Sequence, residues 1–137
     1  HKLSSPISKL TPDQQYAFEY WVEDYKIVTF QRCLFNGYNR SETIRNLLKR
    51  DRSRHQDFAF GLPQYNYIDS LVQPIIQQAK ADSIKFYKSH LEGRPTIEAD
   101  DLNGIPLMKC CLEFYASEKL DSIAHARVNM MEQLWKN

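Results

Sequence analysis

The residues best suited to do chemistry are basic and lie close together, between Arg40 and Arg54. Six lysines and arginines stand in this stretch against two acidic residues, whereas the whole chain carries a formal net charge of only +1. A local surplus of cations attracts a polyanion by neutralising phosphates and releasing counterions, whatever the net charge of the chain. The stretch therefore predicts a polyanion site, with nucleic acid, and duplex DNA in particular, as the favoured ligand.

A helix start lies beside these charges. The backbone N–H groups of Ser41, Glu42 and Thr43 would stand at the positive end of a helix dipole, where they can hold a phosphate oxygen. The predicted nucleic-acid-binding residues are Asn39, Arg40, Ser41, Arg45, Lys49, Arg50, Arg52, Arg54, His55 and Gln56.

Part of this stretch, GYNRSETIRNLL, resembles the turn and second helix of ribbon-helix-helix repressors. In that family the amino end of the helix anchors the DNA backbone, and a preceding strand reads the major groove. The resemblance implies that Asn39, Arg40 and Ser41 hold a phosphate. It also implies that a stripe on the helix faces the core, formed by Ile44, Leu47 and Leu48.

A longer segment, LFNGYNRSETIRNLLKRDRSRHQDF, is similar to a helix-turn-helix. Residues 41–48 would form the first helix, 49–51 the turn and 53–58 the helix that enters the major groove. This resemblance implies that four side chains lie near bases: Arg52, Arg54, His55 and Gln56.

Two other interpretations of the basic stretch stay open. Basic residues on an exposed helix are usually solvated and paired with nearby carboxylates, or they dock an acidic protein. Tyr16, Tyr20 and Tyr65 fall outside the main apolar stripes, and exposed tyrosines suit protein interfaces. The alternative prediction is a helical protein–protein interaction module, such as an adaptor, effector or complex subunit, without nucleic-acid activity.

The sequence offers no catalytic signature. It contains no HExxH and no GxSxG, and its four glycines leave little material for a phosphate-binding loop. The four histidines lack ligand spacing, and the acidic group Glu98, Asp100 and Asp101 is typical of a solvated helix start. We therefore expect a non-enzymatic protein with a regulatory or replicative role and no cofactor or metal.

The elements that must position the basic stretch are all helical. We predict a single compact all-α domain of five to seven helices over residues 11–137, with 1–10 as an irregular lead-in or a tag remnant. Thr11, Pro12 and Gln14 mark a strong helix start. The apolar pattern that follows drifts from Phe18 toward Leu34, which indicates a bent or divided helix ending at Asn36-Gly37.

Later segments continue the helical pattern. Asn39 or Ser41 can cap the next helix, and Asp51 or Ser53 can cap a short helix through Phe58. A helix from Asn66 contains a proline that either kinks it or opens a new one. A long amphipathic helix from Pro106 to Trp135 closes the chain and could serve a homodimer.

The cysteines and the hydropathy bear on location. Cys33, Cys110 and Cys111 fit no metal spacing, and we interpret them as reduced core thiols of a cytoplasmic or nuclear protein. No apolar run approaches the roughly 18 residues of a membrane span. The sequon Asn39-Arg40-Ser41 leaves an exported origin open.

Overall fold

The computed structural model describes residues 11–54, 60–90 and 105–136. They form five α-helices and, within these ranges, no strand. The helices are α1 (Pro12–Gly37), α2 (Glu42–Arg50), α3 (Leu62–His90), α4 (Leu107–Tyr115) and α5 (Glu118–Lys136). The all-α prediction is confirmed, and five helices pack in a compact arrangement. In the part of the chain that the structure describes, no helix combines the length and apolar character of a membrane span.

Helix α1 begins with the capping box expected from the sequence. The Thr11 hydroxyl accepts a hydrogen bond from the Gln14 backbone N–H, and the Thr11 N–H donates to Gln14 Oε1. Of the two forms expected, a bent or a divided helix, the divided one is wrong, because α1 runs through 26 residues without a break. Its apolar pattern drifts because residues from Phe18 to Val28 pack in one cluster with α5, whereas Cys33 packs in another with α4.

The core consists of two clusters that α1 connects. The first cluster lies among α1, α3 and α5 and contains Phe18, Val22, Tyr25, Val28, Phe60, Ile68, Ala124, Val128 and Met131. The second cluster lies among α1, α3, α4 and the start of α5 and contains Cys33, Val72, Ile76, Ala79, Leu107, Cys111, Phe114 and Leu120. Burial of these side chains supplies the main driving force for folding.

Helix α3 starts at Leu62, four residues before the predicted start at Asn66, and runs for 29 residues. Pro74 lies inside this helix and neither ends it nor opens a new one. The proline is exposed, whereas Val72 and Ile76 on either side of it are buried. Packing of the apolar face thus keeps the helix continuous across a residue that cannot complete the backbone ladder.

The expected single helix from Pro106 to Trp135 is wrong, because the chain breaks at Ala116 and Ser117 into α4 and α5. The Ser117 hydroxyl donates to the Phe114 carbonyl at 2.6 Å and accepts from the Leu120 N–H at 3.1 Å. Serine thus ends one helix and caps the next. The buried face of α4 joins the second cluster, while that of α5 belongs mainly to the first.

The interpretation of all three cysteines as reduced thiols is also wrong. Cys33 of α1 and Cys111 of α4 form a disulfide whose Cα atoms are 5.8 Å apart. Adjacent residues on a helix point in different directions, so only one of the α4 cysteines can face Cys33. Cys110 is free and half-buried, and burial raises the pKa of its thiol.

Gly37 allows α1 and α4 to approach each other closely. A Cβ atom at this position would collide with the side chain of Leu107. The residue is the last one of α1, whereas the left-handed residues of the turn that follows are Asn39 and Arg40. Gly37, which the sequence suggested as a turn residue, therefore allows close packing of two helices and does not supply the left-handed conformation of the turn.

Candidate anion-binding cleft

The turn between α1 and α2 has an unusual backbone. Asn39 and Arg40 have φ angles of 58° and 55°, and the Arg40 N–H donates to the Phe35 carbonyl at 2.8 Å. Asparagine tolerates this left-handed conformation, but an arginine there carries a cost of about 1 kcal/mol or more. Ser41 then caps α2 by accepting from the Ile44 N–H at 3.3 Å, so Ser41 is the cap among the two expected alternatives.

The Arg40 side chain folds back onto α1 and α3. Its Nε donates to Asn36 Oδ1 at 2.9 Å, and its Nη2 lies 3.4 Å from Asp69 Oδ2. These contacts offset the cost of the backbone conformation and fix the direction of the guanidinium. The turn therefore positions a cation that a flexible surface arginine would not hold in place.

Helix α2 is peripheral. It has nine residues, packs mainly on α1 and contains no fully buried side chain. The expectation that its whole apolar stripe faces the core is wrong for Leu47, which is 57% exposed. Ile44 and Leu48 are half-buried. Since most of its surface faces solvent, α2 presents its charged side chains to the outside.

A cleft of about 480 Å³ lies between α2 and the middle of α1, with Tyr65 of α3 at its side. Its walls combine apolar and cationic side chains: Val28, Gln31, Arg32, Phe35, Arg40, Arg45, Leu48, Lys49 and Tyr65. Arg45 and Lys49 are one helical turn apart and both reach the cleft from α2. Four cations thus surround a space with an apolar floor.

Phe35 is the centre around which three of these cations are arranged. The guanidinium carbons of Arg32, Arg40 and Arg45 lie 5.1, 5.5 and 5.6 Å from the centroid of its ring. Each contact is within the range of a cation–π interaction, which is worth about 0.5–1 kcal/mol at an exposed site. The buried ring therefore lowers the cost of gathering like charges in one place.

Asp69 of α3 is the acidic partner of this cluster. It accepts from Arg32 Nε at 2.8 Å and Nη2 at 2.6 Å, and from Asn36 Nδ2 at 2.9 Å. Burial alone would raise the pKa of Asp69, but the hydrogen bonds from Arg32 and Asn36 and the charges of Arg32 and Arg40 outweigh it and lower this pKa. The same carboxylate raises the pKa of Arg32. The Asp69 carboxylate thus lies beside a cleft that is lined by four cationic side chains.

The remaining predicted residues divide into two groups. Lys49, Arg50 and Arg52 are exposed, and none of them forms an ion pair with another described residue. Arg54 is half-buried, with Nη1 3.5 Å from the Tyr65 hydroxyl and its guanidinium over Phe60, so it serves packing. His55 and Gln56 lie outside the described residues.

The architecture implied by the two resemblances is absent from the described part of the basic region. The 26-residue helix α1 lies directly before the turn, at the place where a ribbon-helix-helix has its strand and short connection. Residues 51–54 are not helical, and the rest of the predicted reading helix, 55–58, lies outside the described residues. Asp51 accepts from the Ser53 N–H at 2.8 Å and from Gln31 Nε2 at 3.3 Å, which holds the chain in a non-helical exit from α2.

Sequence reasoning missed Arg32, Phe35 and Asp69 as parts of the site. Arg32 and Phe35 lie in the preceding helix and Asp69 lies 37 positions beyond Arg32, so no local pattern connects them.

The chemistry that this arrangement supports is the binding of an anion. Among the residues that the structure describes, no group of three His, Cys, Asp or Glu side chains could hold a metal.

Comparison with protein-family models, curated proteins and solved structures found no match for this chain.

Proposed function

We propose that this chain is a non-enzymatic helical domain that binds a polyanion, with duplex nucleic acid as the favoured ligand. One observation carries the proposal: Arg45 and Lys49 reach the same cleft as Arg40 and have no ion-pair partner among the described residues. A phosphate entering the cleft would meet three cations and displace no carboxylate from Arg45 or Lys49. A regulatory or replicative role would follow from such binding.

The cleft suits a phosphate at its rim and an apolar group at its floor. Arg40 and Arg45 are held against the Phe35 ring, so less side-chain entropy is lost when they contact an anion. Lys49, Arg50 and Arg52 extend the positive surface along α2 and beyond its end. Together these residues could neutralise about four to six phosphates, which corresponds to a log–log salt slope of roughly −3.5 to −5.5.

Binding of an acidic protein surface is the second candidate. It is favoured by Leu47, which is 57% exposed on the same helix as the free cations, and by Tyr16, which is 65% exposed. Apolar contact beside positive charge is typical of a protein interface. Under this proposal the domain is an adaptor, an effector or a subunit of a complex. A homodimer is proposed under either function.

The disulfide changes the proposed location. A cytoplasmic or nuclear protein was expected from three reduced cysteines, and the bond between Cys33 and Cys111 removes that support. Disulfides persist in oxidising compartments and are rare in the cytosol. We therefore favour a chain that reaches an oxidising compartment and binds a polyanion there, a setting in which the regulatory or replicative role would no longer apply.

Fluorescence anisotropy with a labelled random duplex at two salt concentrations tests the proposal. The variant Arg45→Ala/Lys49→Ala removes two charges from the cleft, and Arg50→Ala/Arg52→Ala removes two charges outside it. We expect both variants to lower the salt slope, but the first to weaken binding at least tenfold more than the second, because only the first removes cations that line the cleft. Equal effects of the two folded variants would place the site outside the cleft.

Absence of salt-dependent binding by the wild-type chain would exclude duplex nucleic acid. The same measurement with a labelled acidic peptide then tests the second candidate. The variant Leu47→Ala shows whether peptide binding needs an apolar contact in addition to charge attraction. We expect Leu47→Ala to weaken only the peptide. Sedimentation of the same sample measures the proposed dimer.

A further inference from the structure

The turn that orients Arg40 also presents an asparagine amide to solvent. Asn39 is exposed at the tip of the turn between α1 and α2, and its side chain makes no hydrogen bond with another described residue. Asn36, only three positions earlier, differs because its Nδ2 donates to the Arg32 carbonyl and to Asp69. A group attached to Asn39 Nδ2 would therefore break no contact of the fold.

Asn39 is also the first residue of the triplet Asn39-Arg40-Ser41, which matches the acceptor sequence for N-linked glycosylation. The triplet alone is weak, since Asn39 suits a left-handed turn and Ser41 suits a helix cap. A second and independent observation is the disulfide between Cys33 and Cys111. Disulfide formation and N-glycosylation take place in the same oxidising compartment of the secretory pathway.

We infer that Asn39 carries an N-linked glycan. The donor is an oligosaccharide linked through a diphosphate to a lipid carrier. The Asn39 Nδ2 forms a bond to the first sugar carbon, the bond from that carbon to the diphosphate oxygen breaks, and the amide loses one proton. The products are the glycosylated asparagine and the lipid diphosphate, so no oxidant or reductant is consumed.

The local structure also indicates when the transfer occurs. In the folded chain the Ser41 hydroxyl accepts from the Ile44 N–H and caps α2. Recognition of the acceptor triplet needs this hydroxyl, so transfer precedes the formation of α2. In the folded chain Asn39 is exposed and belongs to neither hydrophobic cluster, so α1 and α2 can form with the glycan attached.

This inference does not depend on the proposed binding of a polyanion. A glycan at Asn39 can be present on a chain that binds nothing through the cleft, and the cleft can function on a chain without a glycan. Peptide mapping measures covalent modification and the state of the cysteines, whereas anisotropy measures binding. Failure of one proposal is therefore distinguishable from failure of the other.

Peptide mapping by mass spectrometry of the full chain, purified from its native source, tests the inference. We expect a glycan on the peptide that contains Asn39, its removal by peptide N-glycosidase, and a disulfide between Cys33 and Cys111 in the same sample. An unmodified Asn39 in the native protein would overturn the inference, whether the two cysteines are bonded or reduced.

Matched variants show which residues are required when the full chain is secreted from eukaryotic cells. Ser41→Asp keeps a helix cap and Asn39→Gly keeps the left-handed turn, but both destroy the acceptor triplet. Ser41→Thr keeps the cap and the triplet. We expect the glycan on the wild type and on Ser41→Thr only. A secreted wild type without glycan, in cells that modify a control protein, would contradict the inference.

Discussion

Both carboxylate oxygens of Asp69 on α3 accept hydrogen bonds from Arg32 on α1, Oδ1 from Nε at 2.8 Å and Oδ2 from Nη2 at 2.6 Å. Both side chains are largely shielded, with 17% and 23% of their surfaces exposed. The pair connects two helices and also faces the cationic cleft, because Asp69 lies 3.4 Å from Arg40. Asp69 therefore stabilises the fold and at the same time lowers the positive charge available to a ligand.

Replacement of Asp69 by Asn should have opposite effects on stability and on binding. We expect the free energy of unfolding to fall by about 1–3 kcal/mol, since Arg32 loses its charged partner. Polyanion affinity should rise about threefold to tenfold, because removing one nearby negative charge is worth roughly 1 kcal/mol in water. Urea unfolding and fluorescence anisotropy measure the two effects. Asp82→Asn is the control, because it removes one negative charge from the same helix at a residue that does not line the cleft. An equal gain in polyanion affinity from Asp82→Asn would argue against binding in the cleft.

The Asp69 pair should also make stability depend on pH in the acid range. The pKa of Asp69 is lowered in the folded chain, against about 3.9 in an unfolded one. Its contribution is therefore fully present above about pH 4 and is lost as the pH falls through the folded value. We expect the difference in unfolding free energy between wild type and Asp69→Asn to shrink below pH 4. A constant difference from pH 7 to pH 3 would show that the carboxylate charge is unimportant.

Loss of the disulfide should destabilise the chain strongly. Cys33 and Cys111 are separated by 78 positions, and closing a loop of that size restricts the unfolded chain by roughly 4 kcal/mol. We expect Cys33→Ser/Cys111→Ser to lower the unfolding free energy by about 2–4 kcal/mol, measured by urea denaturation. Cys110→Ser is the matched control and should change it by less than about 1 kcal/mol. Alkylation of three thiols in the unreduced, denatured wild type would show that the bond is absent.

Alanine at position 37 should destabilise the chain although alanine favours helices. The added methyl group would collide with Leu107, at a cost of about 1–3 kcal/mol that exceeds the gain in helix propensity of about 1 kcal/mol. In a Leu107→Ala background the collision disappears, so Gly37→Ala should become neutral or stabilising there. A double-mutant cycle by urea unfolding measures this coupling. A stabilising Gly37→Ala in the wild-type background would mean that α1 and α4 are not in close contact.

Local signals in the sequence predicted several elements well. The capping box at Thr11 and the cap at Ser41 need only neighbouring residues, and both are present. The apolar pattern that begins at Phe18 predicted the buried face of α1. The helix breaks were harder to predict. Pro74 does not end α3 although proline usually does, because packing on both sides outweighs one missing hydrogen bond.

The candidate site was only half predictable. Arg40, Arg45 and Lys49 belong to the basic stretch, and the structure brings them to one cleft. The residues that make it a cleft come from elsewhere, since Phe35 lies on α1 and Tyr65 on α3. Their proximity follows from how the helices cross, which no local pattern encodes. The disulfide was missed for the same reason, because pairing depends on distance in space and an odd number of cysteines gave no framework.

The position of α1 determines which parts of the chain can be removed. This helix contacts each of the other four, and it supplies side chains to both hydrophobic clusters. A truncated protein lacking residues 12–37 would therefore leave α3, α4 and α5 with exposed apolar faces and would aggregate. Helix α2, by contrast, has no fully buried side chain and packs mainly on α1. Loss of α2 would thus leave the side chains of both hydrophobic clusters in place.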